Sequence, residues 1–143
     1  MQHSTTVQEH LVMGLALSPE LALGLVVELA YDPGDPYAVR FTFHLPGDPP
    51  VTWVFARELL LDGLGGPAGE GDVLIEPVEE ERSPEVRVTL RSPGGEAVLR
   101  ARVAPLLAFL ARTDRLVPIG RESTGRQLDA ELADILGGPG HPG

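Results

Sequence analysis

Proline and glycine clusters cut the first hundred residues of this chain into pieces of strand length, and few folds satisfy that punctuation. Ser18-Pro19-Glu20, Asp32-Pro33-Gly34-Asp35-Pro36, the loop Leu45 to Pro50 and Pro93-Gly94-Gly95 each force a turn. Between them lie apolar or alternating runs: Val7 to Leu17, Leu21 to Tyr31, Tyr37 to His44, Val51 to Phe55, Asp72 to Val78, Glu85 to Ser92 and Glu96 to Arg102. Val39, Phe41 and Phe43 share one strand face, and Val51, Trp53 and Phe55 share another. A five-residue loop, Pro46 to Pro50, is expected to pair Phe43 with Trp53 and Phe41 with Phe55.

The hairpin Glu85–Ser92 with Glu96–Arg102 gives the cleanest pattern. Setting Arg91 opposite Glu96 puts Val86, Val88 and Leu90 on one face with Ala97, Leu99 and Ala101. The other face carries Arg87, Arg91, Arg100 and Arg102. Arg91–Glu96 and Glu85–Arg102 are the expected ion pairs. Arg87 and Arg100 then face each other, which is unfavourable unless an anion sits there.

Helices are expected in three places. Arg57 to Asp62 makes one or two turns, with Gly63 as C-cap. Gly65 to Gly71 follows as a connector. Pro105 suits the first position of a second helix with Leu106, Phe109, Leu110 and Thr113 at helical spacing, ended by Val117-Pro118. Thr124 and Gln127 form a capping box before Leu128, Leu132, Ile135 and Leu136, an apolar stripe opposed by Asp129, Glu131 and Asp134. Gly137 to Gly143 has nothing to bury and is expected to be a flexible tail.

At 143 residues the chain fits one domain, residues 1–136, and needs no disulfide or metal to hold it. It has no Cys, which excludes thiol catalysis and iron–sulfur or zinc-finger sites. No apolar run is long enough to span a membrane and no basic signal-peptide start precedes one, so a cytoplasmic protein is expected. The net charge of −10 repels phosphate backbones. Every cation is Arg and there is no Asn, which a GC-rich genome explains simply.

Catalytic and ligand motifs are missing. His3, His10, His44 and His141 are scattered without metal-ligand spacing. No P-loop, nucleophile elbow or H-E-x-x-H occurs. Asp32 and Asp35 beside prolines suit Asx turns better than acid–base work, and Glu79 to Glu81 suits a solvated loop. The residues therefore describe an acidic α+β domain suited to binding rather than catalysis, with no metal and no cofactor. Candidates for a partner surface are the Asp32–Tyr37 loop (Asp32, Asp35, Tyr37), Glu58 and Asp62 beside it, the arginine face (Arg87, Arg91, Arg100, Arg102), and Gly120, whose backbone is expected to need glycine's freedom.

Several motifs in order resemble the SsgA-like proteins, an actinobacterial family controlling sporulation-specific cell division. They are Tyr31-Asp32-Pro33 with Asp35-Pro36-Tyr37-Ala38-Val39 and His44; Trp53-Val54-Phe55-Ala56-Arg57-Glu58-Leu59-Leu60; Gly71-Asp72-Val73; Ser92-Pro93-Gly94-Gly95-Glu96-Ala97; Phe109-Leu110-Ala111-Arg112-Thr113; Val117-Pro118-Ile119-Gly120; and Leu128-Asp129-Ala130-Glu131-Leu132. The resemblance spans Val7 to Leu136. Glu58 stands where many members carry Asp, and Arg100-Ala101-Arg102-Val103 is more basic than is common there. The resemblance implies a whirly-type fold: antiparallel β-sheets in a barrel-like arrangement, helices packed at one end, assembled as a homotrimer. It implies no catalysis, a place at the division septum, and partners among FtsZ (the tubulin-like division protein), its membrane tether and other SsgA-like proteins. Other members serve septal peptidoglycan assembly. Whirly-type proteins bind single-stranded nucleic acid, but an acidic chain whose aromatics mostly point inward makes that partner a poor expectation here.

Overall fold

The structure, a computed structural model, describes residues 6–79 and 82–122. The expected helix at 124–136, the tail at 137–143 and most of the acidic run at 79–81 lie outside the described residues. Eight strands form one antiparallel sheet: β1 (Val7–Ala16), β2 (Ala22–Tyr31), β3 (Ala38–His44), β4 (Val51–Ala56), β5 (Ala68–Glu70), β6 (Val73–Val78), β7 (Glu85–Ser92) and β8 (Gly95–Arg102). Their spatial order is β4-β3-β2-β1-β8-β7-β6-β5. Helix α1 (Arg57–Gly65) follows β4, and α2 (Val103–Leu116) follows β8.

Each half is four strands plus a helix. The halves join through a ladder of only two pairs, Gly14↔Arg100 and Leu15↔Leu99, and make one curled half-barrel sheet. Short pairing lets β1 diverge from β8 toward its N-terminal end, and α2 enters that gap. There Arg112 donates to the Gln8 carbonyl at 3.2 Å and pairs with the Glu9 carboxylate.

The core sits on the concave face. Odd-numbered β1 to β3 residues and even-numbered β7 residues point inward, so Met13, Val27, Leu29, Val39, Phe41, Val86 and Val88 are buried with Leu106 and Phe109 of α2. Phe41 meets Phe55 edge-on, ring centroids 4.8 Å apart.

The β7–β8 register is as expected, from Glu85↔Arg102 to Ser92↔Gly95. The β3–β4 register is not: Phe41 pairs Trp53, Phe43 pairs Val51, and Val39 pairs Phe55. Leu45 is drawn out of the ladder because its carbonyl accepts from Asp48 N–H at 3.2 Å, closing a turn with Pro46 and then Gly47 at φ 80°. That lengthens the loop and moves the pairing by two residues, which keeps the faces and changes the partners.

Three helix and connector expectations are also corrected. α1 runs past Gly63, which is buried mid-helix: a Cβ there would meet the side chain of Ile75 in β6, with its Cβ at 2.5 Å and its carbonyl at 3.1 Å. Gly63 therefore permits helix–strand approach rather than ending the helix. The connector from Gly65 to Gly71 contains β5, paired with β6 from Ala68↔Ile75 to Glu70↔Val73. α2 begins at Val103, placing Pro105 third in the helix, where its missing N–H is still one of the unbonded four.

Candidate functional site

The Asp32–Tyr37 loop is a built structure rather than a slack connection. Asp35 N–H donates to the Asp32 carbonyl at 2.8 Å, and Gly34 N–H donates to the Asp32 carboxylate at 2.9 Å, an Asx turn. Tyr31 closes it from below, its hydroxyl donating to the Pro36 carbonyl at 2.9 Å. Asp32 and Asp35 stay exposed, with Arg40 lying 3.8 Å from Asp35.

α1 starts against this loop, because Arg57 N–H donates to the Tyr37 carbonyl at 2.7 Å. Exposed Glu58 and Asp62 follow one turn apart on α1. The Tyr37 hydroxyl donates to the Glu122 carbonyl at 2.7 Å. Tyr37 is 44% exposed, an exception to the inward-pointing aromatics.

Beneath lies the least expected group in the molecule, the Arg57 guanidinium, whose side chain is 0% exposed. One terminal nitrogen donates to the Val117 carbonyl at 2.7 Å and to the Thr113 carbonyl and hydroxyl at 3.2 and 3.3 Å. The other meets the Glu122 carboxylate at 2.6 Å. The guanidinium carbon lies 4.8 Å from the centre of the Tyr31 ring, within cation–π range. Arg57 thus supplies donors to carbonyls at the C-terminal end of α2, where the helix dipole also favours a cation.

Glu122 is held from several sides. The turn Pro118–Arg121 is closed by Arg121 N–H to the Pro118 carbonyl at 3.0 Å, with Gly120 at φ 92°. That φ lies in the left-handed region that favours glycine, and the Gly120 N–H donates to the Glu122 carboxylate at 2.8 Å. Burial pushes the Glu122 carboxyl up, but hydrogen bonds from Arg57 and backbone N–H groups, with the Arg57 charge, outweigh it and hold it below the ordinary value. Burial raises the Tyr31 hydroxyl, opposed by Arg57.

The sequence candidates thus divide in space. Asp32, Asp35, Tyr37, Glu58 and Gly120 gather around the Arg57–Glu122 tie, with Asp62 a turn further along α1. Arg87, Arg91, Arg100 and Arg102 lie on the convex side of the other half. Glu85 pairs with Arg100 at 2.7 Å rather than with Arg102, a diagonal that corrects the expected pair. Glu76 lies 3.7 Å from Arg87 and Glu96 2.9 Å from Arg91. The facing Arg87 and Arg100 therefore each have a carboxylate from this chain. His10 and His44, far apart in sequence, flank Glu28 at 3.8 and 3.0 Å. Among the described residues no three His, Asp or Glu side chains are arranged to hold a metal.

Sequence reasoning missed Tyr31, Arg57, Thr113 and Glu122 as a unit. A signal for Arg57 existed: it continues the period-two series Val51, Trp53, Phe55 and so falls on the inward face.

The family model for the Streptomyces sporulation and cell division protein SsgA matches residues 25–122. The chain belongs to the SsgA family. The sporulation-specific cell division protein SsgB of Thermobifida fusca is 49% identical over 112 residues, covering 78% of this chain and 81% of that one. SsgB of Streptomyces coelicolor is 45% identical over 133 residues, covering 93% and 97%. Among solved structures, the SsgA-like sporulation-specific cell division protein of Thermobifida fusca superposes with a TM-score of 0.80 at 41% identity, covering 94% of this chain and 99% of that one. An SsgB structure from work on longitudinal cell division during sporulation of Streptomyces coelicolor gives 0.78 at 45% identity, covering 82% and 92%. The curled antiparallel sheet with its helices is thus shared with SsgB-type proteins.

Proposed function

We propose that this chain is a non-enzymatic regulator of sporulation-specific cell division that works at the division septum on the cytoplasmic side, recruiting or stabilising FtsZ directly or through its membrane tether. The observation that carries this reading is the likeness to SsgB proteins named for sporulation-specific division, extending over nearly the whole chain. The chemistry is consistent with it: the terminal nitrogens of Arg57 and the Glu122 carboxylate are held by each other, by backbone and by the Thr113 hydroxyl, which suits a rigid presenting scaffold rather than acid–base work. The surface offered for a partner is the Asp32–Tyr37 loop with the start of α1, where Asp32, Asp35, Glu58 and Asp62 are exposed. Other SsgA-like chains are further partners in this reading, and a homotrimer is its assembly state.

Co-sedimentation of the purified chain with GTP-assembled FtsZ filaments from the same organism tests it. Pelleting with filaments, and more polymer in its presence, is the expected result. Absence of the chain from the pellet, with FtsZ alone and with FtsZ plus tether, refutes recruitment and moves the protein to septal peptidoglycan assembly.

Binding of single-stranded nucleic acid is the competing reading, and the ion pairs count against it. Arg87, Arg91 and Arg100 already face Glu76, Glu96 and Glu85, so a phosphate would have to displace a carboxylate on a chain of net charge −10.

A further inference from the structure

Among the described residues the concave face is filled at one end only. α1 and α2 pack where β2 ends at Tyr31 and β1 begins at Val7. At the other end Leu15, Leu25, Phe43, Val51, Trp53 and Leu99 line a hollow of about 180 Å³ with almost wholly apolar walls. From Trp53, Leu90 and Ala97 it runs on into a shallower groove that ends at the β7–β8 turn, Gly94-Gly95. An apolar cavity of roughly 150 Å³ excludes water and accepts an apolar guest. Strand β4 forms the near wall, with Val51 46% and Val54 51% exposed.

The pairing of β4 with β3 fixes which of its main-chain groups point outward. Arg57 N–H donates to the Tyr37 carbonyl at 2.7 Å, one pair beyond Ala38↔Ala56. Hydrogen-bonded and non-bonded pairs alternate in an antiparallel ladder, so Val39↔Phe55, Phe41↔Trp53 and Phe43↔Val51 exchange the bonds. Thr42↔Thr52 is then one of the closer pairs, and its hydroxyls meet at 2.8 Å. The N–H and C=O groups of Thr52 and Val54 therefore point away from β3. Among the described residues β4 has no other neighbour in the sheet. No charge or proline within Val51–Ala56 guards this edge.

Charge selects the occupant. Exposed Asp48 precedes β4 and exposed Glu58 follows it, and no Lys, Arg or His occurs from Leu45 to Ala56. Two copies of β4 paired antiparallel bring Asp48 of each toward Glu58 of the other, on chains of net charge −10. A strand with a basic residue at each end meets an opposite charge at both ends in either direction. We propose that β4 receives an extended segment of a partner protein as an additional strand, with apolar residues alternating inward over the hollow and a Lys or Arg at each end facing Asp48 and Glu58. Main-chain bonds to Thr52 and Val54 hold the guest, and the hollow selects apolar side chains at alternate positions. The inference does not rest on the FtsZ reading: short peptides test it without FtsZ, so either can fail alone.

Trp53 is the sole tryptophan and lines both hollow and groove, so its emission reports the occupant. The probes, added to the full chain, are the peptides Lys-Leu-Thr-Leu-Thr-Leu-Lys and Glu-Leu-Thr-Leu-Thr-Leu-Glu and a scramble of the first, Lys-Leu-Leu-Leu-Thr-Thr-Lys. They are fluorescein-labelled for anisotropy and unlabelled for Trp53 emission. The Lys-ended alternating peptide is expected to bind about tenfold tighter than the other two and to move Trp53 emission to shorter wavelength. Val54→Pro removes one outward N–H and leaves the β3 bonds in place, so it is expected to weaken binding about tenfold, while Val54→Thr does not. Asp48→Arg with Glu58→Arg is expected to reverse the preference between Lys-ended and Glu-ended peptides, which decides the matter if Val54→Pro fails to fold. Equal affinity for all three peptides, no binding at millimolar peptide, or a preference that the charge reversal leaves unchanged overturns the proposal. With no peptide bound, shielding of Trp53 from acrylamide that grows with protein concentration would assign the groove to a second copy. Shielding already present in the dilute monomer would assign it to another part of this chain. Either result also overturns the proposal.

Discussion

Replacing Glu122 with Gln removes the charge on one side of the buried tie while keeping the shape. The wild-type carboxylate accepts from Arg57 at 2.6 Å through one oxygen and from Gly120 N–H at 2.8 Å through the other. Gln has one carbonyl oxygen, so its NH2 group must face either the Arg57 donor or the Gly120 donor. One charge-assisted hydrogen bond is lost, and a 0%-exposed guanidinium keeps only neutral acceptors at Val117 and Thr113. A hydrogen bond to a charged group contributes about 1.5–3 kcal/mol, and removing a whole buried partner costs about 3–5 kcal/mol. Since the neutral acceptors remain, the expected loss at pH 7 is about 2–3 kcal/mol. With a urea slope of about 2 kcal/mol/M, the unfolding midpoint falls by about 1 M. Urea unfolding followed by Trp53 fluorescence reads this directly. The sign with pH is fixed by the lowered carboxyl of Glu122. Its stabilisation is complete above the unfolded-state value, near the ordinary 4.5, and is lost as pH falls through the lower folded-state value. The gap between wild type and variant must therefore narrow on acidification from pH 7 toward 3.5. A gap below about 0.5 kcal/mol at pH 7, within the range of ordinary surface substitutions, would refute the reasoning, as would a gap independent of pH.

Gly63→Ala should lower the urea midpoint, because the new methyl meets Ile75 and must push α1 from β6 at a cost of about 1–3 kcal/mol; Gly65→Ala, with open space around it, should not. Gly120→Ala forces a side chain into a φ of 92° and should cost about 1–2 kcal/mol by the same assay, with a smaller additional loss when combined with Glu122→Gln because both weaken one tie. Phe41→Ala, fully buried between Phe43 and Phe55, should cost about 3–5 kcal/mol. Fluorescence anisotropy with labelled single-stranded DNA should show no salt-sensitive binding at physiological ionic strength; binding that Arg87→Ala with Arg100→Ala abolishes would instead establish the nucleic-acid reading.

What the sequence made legible depended on how locally each feature is determined. The β7–β8 register could be read to the residue because the turn is only Pro93-Gly94, between Ser92 and Gly95, leaving no length to misjudge. The longer loop after β3 hid its own turn at Pro46-Gly47, so face parity was recovered and partners were not. Gly63 carries the local signature of a helix stop, and only the distant Ile75 shows why a glycine stands there. β5 is three residues, Ala68-Gly69-Glu70, with little strand propensity of its own; pairing with β6 creates it. The candidate loop was legible from its prolines and aspartates. The tie beneath it was not, because a buried arginine joining residues 57, 113, 117 and 122 is a tertiary fact that alternation alone only hints at.

The same geometry explains why shared architecture need not carry shared chemistry here. A sheet curled into a half-barrel suits single-stranded nucleic acid when its surface supplies free cations and stacking rings. In this chain the concave face holds buried aliphatics and edge-packed phenylalanines, and its open end is an apolar hollow. Three of the four convex arginines, Arg87, Arg91 and Arg100, are matched by Glu76, Glu96 and Glu85 from neighbouring or facing strands. Four exposed carboxylates, Asp32, Asp35, Glu58 and Asp62, lie instead along a tightly bonded loop and a helix start clamped by Arg57 and Glu122. A surface of that kind repels phosphate and holds its shape without a ligand, which is consistent with the protein partner proposed above.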